Sequence, residues 1–431
     1  MSERTLFINA RLLDPAAKLD RTGELLVEDG RIAALGPHLA RDGLGADIKI
    51  VDCTGYCLAP GLVDMRVQLR EPGEEYQETL ASGSAAAAAG GVTTMAMLPN
   101  TTPVIDEQAL VEFVARRGRE VGLANIRTYA AATKGLKGRE LTEMGMLAEA
   151  GAVAFTDGTH AIADAVVMRR ALSYASTFDL LIVQHPEEPS LAAGGAMTEG
   201  EIATRLGLAG ITPAAEAIMV ERDLRLVEIT GGRYHAAHLS TAAAIEVIRR
   251  AKVRGLPVSC DTAPHYFALN ETAVGEYRTF AKVSPPLRSE EDRKAVVAGL
   301  QDGTIDAIAS DHAPQDQESK RLPFASAEPG IVGLETLLPL ALELHHNRQV
   351  PLLDVLRALT QRPAEILRLP GGTLALGAAA DFVVFDLDRP WRIETGKFRS
   401  KCQNAPYDGR PVQGRAIRTV LGGRGVFAAQ A

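Results

Sequence analysis

Asp157, His185, His238 and Asp311 each close a short apolar run in a chain of 431 residues. Neutral imidazoles and carboxylates suit zinc, and a catalytic zinc site offers three protein ligands and an open position for water. Asp157, His185 and His238 fit that description as candidate metal ligands. Asp311 is then suited to act as general acid and base toward a metal-bound hydroxide and a leaving nitrogen, which is hydrolysis at a carbonyl. The other runs also end in polar residues: Arg66, Gln68 and Arg70; Asn100; Thr133 and Lys134; Asp261 and His265; and His312 closes the same run as Asp311. A lone histidine in such a place is more often a structural hydrogen-bonding residue than a ligand. Several polar residues converging on one rim shift that balance, because burying so many without a shared partner is costly.

The elements that must position them follow from the pattern of the middle of the chain, where short apolar runs alternate with helical stretches. Eight runs are expected as strands: 62–67, 92–98, 126–132, 152–156, 180–184, 234–237, 257–260 and 306–310. Eight is the number of a (β/α)8 barrel, whose active site lies at the C-terminal ends of its strands. "YQETLASGSAAAAAGG" between the first two runs reads as a helix whose alanines permit close packing on a sheet. Residues 1–58 and 373–431 share a different texture, of short strands and turn signals, with Asp29-Gly30 marking a hairpin. The expected architecture is α/β: a (β/α)8 TIM-like barrel over 59–372, inserted in a small β-sandwich domain built from both termini.

Composition narrows the partners. A formal charge of −8 speaks against nucleic acid, which is bound through basic patches. No run of about 18 uncharged apolar residues appears, so no membrane span is expected. The start, "MSERTLFINARLLDP", lacks the apolar region of a secretory signal, and a cytoplasmic location is expected. Cys53, Cys57, Cys260 and Cys402 form no CxxC pair and read as small buried residues.

The order of the motifs "PGLVDMRVQLREPG", "GGVTTMAMLPNTTP", "GAVAFTDG", "AAHLST", "KVSPPLR", "DGTIDAIASDHAP", "GIVGLET" and "SKCQNAPYDG" resembles that of the cyclic amidohydrolases, and within them the dihydroorotases. The resemblance runs nearly end to end. It implies reversible closure of N-carbamoyl-aspartate to dihydroorotate in pyrimidine synthesis, at a one- or two-zinc site. It also implies that Asp157, His185 and His238 are one half of that metal site and that Asp311 is the catalytic acid and base. Arg70 and Asn100 would hold the substrate carboxylate, with His312, Ser284 and Gly330 as further substrate contacts. An arginine fork suits a planar carboxylate.

The chain departs from the family where it matters most. The family's first strand reads Asp-x-His-x-His, both histidines binding metal; here the residues are Asp64, Arg66 and Gln68. A guanidinium cannot coordinate zinc and repels a dication nearby. Zinc is therefore expected at one position at most, with the second lost. Ser284 stands where the family usually has Asn, Pro329 where Phe is common, and "QHPEEPS" replaces the usual His-Cys-Glu-Asp. Alternation places Asp64, Arg66 and Gln68 on one strand face and Val63, Met65 and Val67 on the other. If Arg66 faces inward it needs carboxylates, with Asp311 and Asp157 as the candidates. The expected role is a catalytically impaired dihydroorotase-like protein. As in some bacterial members of the family, it would be a structural partner of aspartate carbamoyltransferase, itself a homodimer or larger assembly. The alternative is an active dihydroorotase or related cyclic amidase using the remaining zinc position. Lys134 is read as an ordinary loop lysine, and the charged loop 315–327 as a candidate lid.

Overall fold

The computed structural model describes residues 4–39 and 48–430. Its eight central strands are β6 (Leu62–Val67), β7 (Val92–Met97), β8 (Asn125–Ala131), β9 (Ala152–Thr156), β10 (Leu181–Gln184), β13 (Arg233–Ala236), β14 (Val258–Thr262) and β15 (Ala307–Ile308). They pair in parallel in that order, and Val67 bridges to His312 to bring the first strand beside the last. All eight overlap the expected runs, the last covering only two of its five expected residues. The only strands between β10 and β13 are the short parallel pair β11 (Met197–Thr198) and β12 (Gly210–Ile211).

Both termini build the second sheet, from β1 (Arg4–Asp14), β2 (Leu19–Glu28), β3 (Arg31–Gly36), β4 (Ile48–Asp52), β5 (Cys57–Pro60), β16 (Phe382–Arg392), β17 (Pro411–Leu421) and β18 (Arg424–Ala428). β5 joins the halves, pairing with β1 on one side and β16 on the other. Asp29 and Gly30, both with positive φ, make the β2–β3 turn, as the Asp-Gly pair predicts.

The alanine-rich helix Leu80–Gly90 starts at Thr79, whose side chain accepts from Ser82 N in a capping box, and ends at Gly91 with φ 86°. A Cβ on Gly90 would lie 2.1 Å from the Leu334 carbonyl oxygen, so small residues are a steric requirement where this helix packs. Thr419 of β17 donates to the Ala88 carbonyl, tying the terminal sheet to the barrel.

The strict alternation expected of β6 does not hold. Met65 joins the cluster with Ala96, Tyr129, Ala154 and Val183, whereas Val67 joins the larger cluster with Met95 and Met97. A register shift between Asp64 and Val67 on β7 is the cause: an extra residue reverses the faces on either side of it. Arg66 sits at that irregularity.

Candidate functional site at the barrel mouth

Arg66 points inward, with its side chain 2% exposed, and its Nε donates to Asp311 Oδ1 at 2.8 Å. Nη2 donates to the Gly158 carbonyl at 3.4 Å. The other Asp311 oxygen faces His238 Nδ1 at 3.4 Å and His265 Nε2 at 3.8 Å. His238 Nε2 is 2.8 Å from His185 Nδ1, and His185 Nε2 is 3.7 Å from Glu187 Oε2. Ser284 Oγ donates to the same Glu187 oxygen at 3.5 Å. One buried chain thus runs from Arg66 through Asp311, His238 and His185 to Glu187.

The backbone that carries these groups is strained. Arg70, His238 and Asp311 all have φ between 42° and 61°, the left-handed region that costs a non-glycine residue about 1–2 kcal/mol. Packing must hold them there. For His238 the hold is visible: its backbone N–H donates to Asp261, whose other oxygen is 3.1 Å from His235 Nε2.

Electrostatics follow from the pairing. Burial, the largest single influence, would raise the Asp311 carboxyl, but the Arg66 charge together with His238 and His265 outweighs it and holds the group well below the usual carboxylate range. Burial pushes His238 down to about 4, with the Arg66 charge adding to the effect, and burial takes His265 to about 4 as well. Both rings are neutral at pH 7. Burial raises Asp64 to about 7; one of its oxygens accepts from the Arg66 and Ser310 backbone N–H groups.

The remaining sequence-derived candidates are engaged within the chain. Both Asp157 oxygens accept from Thr133, at 2.9 Å from the backbone N–H and 2.5 Å from Oγ1. Arg70 pairs with Glu74 at 3.0 Å and donates to the Pro314 carbonyl at 3.1 Å, while Asn100 Nδ2 donates to Gln68 Oε1 at 3.0 Å. His312 Nδ1 accepts from the Gly333 backbone N–H at 3.1 Å, and Nε2 faces buried Glu78 at 3.4 Å. Gly330 has φ 139°, and a Cβ there would lie 2.7 Å from the Ala313 carbonyl oxygen. Lys134 is exposed and pairs with Glu140. The 315–327 loop carries the helix Gln317–Lys320, and buried Lys320 donates to the carbonyls of Thr279, Lys282 and Glu328.

Residues that sequence reasoning missed are Glu187, Glu78 and Asn404. Glu187 entered only as part of a departing motif, and Glu78 only as part of a helical stretch. Asn404 lay in a quoted motif, yet its work is conformational: its amide donates to the Ala313 and Gly330 carbonyls, and its Oδ1 accepts from Gln315 N.

As arranged, these donors do not fit a zinc ion. Arg66 occupies Asp311, the two histidines bond each other, and Thr133 takes both Asp157 oxygens. Among the described residues, no group of three or more His, Cys, Asp or Glu side chains is arranged so that it could hold a metal ion.

The profile of the Dihydro-orotase-like family matches residues 55–244. A dihydroorotase of Anaplasma phagocytophilum is 47% identical over 98% of this chain and 95% of its own length, and one of Pelobacter propionicus is 46% identical over 98% and 99%. The chain belongs to the dihydroorotase family. Its fold is shared with the L-hydantoinase (dihydropyrimidinase) of Arthrobacter aurescens, at a TM-score of 0.88 and 25% identity, covering 100% of this chain and 97% of the other. Among the described residues, no helix of this dihydroorotase-family chain is long and apolar enough to cross a membrane.

Proposed function

We propose that this dihydroorotase-family protein acts in pyrimidine biosynthesis as a catalytically impaired member, a structural partner of the catalytic subunit of aspartate carbamoyltransferase. The observation that carries the impairment is the Arg66–Asp311 ion pair at 2.8 Å. In hydrolysis Asp311 would take and return a proton. A guanidinium bonded to it stabilises the carboxylate and opposes protonation, so the group is poorly suited to shuttle protons. Arg66 also supplies the positive charge that the buried carboxylate needs, which keeps the mouth stable without a metal ion. The candidate substrate holders Arg70 and Asn100 have partners inside the chain, which supports the same reading. The partnership follows from the family resemblance, and a cytoplasmic location goes with it.

The second reading is an active dihydroorotase, favoured by relatives of that name at 47% identity. Two measurements on the purified full chain separate the two: zinc content and cyclisation of carbamoyl-aspartate. The impaired member is expected to hold less than stoichiometric zinc and turn over near background. Stoichiometric zinc with brisk ring closure would overturn it. The partnership is tested by co-purification with aspartate carbamoyltransferase and by the loss of that enzyme's activity when this chain is removed; independence would refute it. Restoring both histidines, Arg66→His with Gln68→His, is expected to raise zinc uptake while activity lags.

A further inference from the structure

We propose that a cavity at the opposite end of the barrel binds the phosphoryl group of a small phosphomonoester. The cavity, about 440 Å³, lies where β8 begins, walled by the end of the helix Gln108–Val121 and by the turn between β17 and β18. Ligand sites favour such junctions between domains and such volumes, roughly 300–1,000 Å³. The mouth residues, by contrast, stand at the strand ends.

Its charge is what singles it out. Arg119, Arg127 and Arg424 all line it, and Asp381 is its one acidic wall residue. That carboxylate is already engaged, accepting from Asn125 Nδ2 at 2.9 Å and from the Gly422 backbone N–H at 2.6 Å. Arg127 Nε is buried with no hydrogen-bond partner. Glu120, next to Arg119 on that helix, pairs with Arg117. In a chain of net charge −8, three guanidinium groups around one committed carboxylate create a local positive potential that attracts an anion.

The number of forks selects the anion. A carboxylate has two oxygens and matches one guanidinium bidentately, whereas a phosphoryl dianion presents three oxygens to three donors. The cavity exceeds the phosphoryl group alone, and Ile126, Leu421 and Ala379 give the remainder apolar wall against which an organic ester group packs. The site is independent of the reading given to the barrel mouth.

The test is calorimetric titration of the full chain with inorganic phosphate, ribose 5-phosphate and adenosine 5′-monophosphate, with succinate as dicarboxylate control and chloride matching ionic strength. Saturable binding of a phosphomonoester tighter than that of inorganic phosphate is expected, with succinate weaker than either. Arg127→Gln and Arg424→Gln are each expected to weaken binding about tenfold, the loss of one charge-assisted contact. Should Arg127→Gln fail to fold, the pair of exposed changes Arg119→Gln with Arg424→Gln carries the same expectation. Absence of saturable binding with all three phosphates, succinate binding equally well, or affinity unchanged in the variants would overturn the assignment. Binding of inorganic phosphate as tight as that of both esters would overturn the phosphomonoester class.

Discussion

Arg66 shows how one side chain redirects a site. Its Nε engages Asp311 at 2.8 Å, and both groups are nearly sealed from solvent. Breaking a buried pair from one side leaves an uncompensated charge and costs about 3–5 kcal/mol. Arg66→Met is therefore expected to lose that much stability in urea denaturation, while Arg66→Met with Asp311→Leu recovers most of it. Additive losses in the double variant would show that the pair is not coupled. That an inward Arg66 must seek a carboxylate was legible in the sequence, since a guanidinium stays charged. Which acid answers it was not. Asp157 was an equal candidate until Thr133 took both its oxygens. Glu187 and Glu78 escaped notice because nothing in a sequence distinguishes a buried acid from a solvated one when its partner lies far along the chain.

At the level of elements, all eight barrel strands and the Asp-Gly hairpin were legible, because apolar runs and turn chemistry are local signals. The irregularity in β6 was not, because register depends on the neighbouring strand rather than on the strand's own alternation. The loops above the strands depend equally on distant partners. Asn404, 2% exposed, arrives from the terminal segment, and its side chain makes three hydrogen bonds to the loops that follow β15. Truncating it strands two carbonyls and one N–H, and each buried orphan costs about 1–3 kcal/mol. Asn404→Ala is expected to speed amide hydrogen exchange over residues 313–332 while leaving exchange in β7 and β8 unchanged. Uniform acceleration throughout would mean that Asn404 supports global stability and not this loop.

For the whole molecule, the question is how a barrel and a sheet built from both chain ends stay fastened. Glu335 stands at that junction, accepting from the backbone N–H of Arg399 at 2.6 Å and of Ser400 at 3.4 Å. Burial raises its carboxyl to about 7, against roughly 4.3 in an unfolded chain. The folded state therefore binds this proton more tightly than the unfolded state does. Its contribution to stability is complete below about pH 4 and is lost as pH rises through 7. Glu335→Gln removes the titration while keeping an acceptor oxygen for the strap. Relative to the parent chain, the variant is expected to gain about 1–2 kcal/mol at pH 8, allowing for solvent screening, and to gain little at pH 4. Urea midpoints at the two pH values measure this. Parallel midpoints would show that the junction is not sensitive to this group, whereas a gain confined to pH 8 would identify Glu335 as the residue through which pH loosens the two layers.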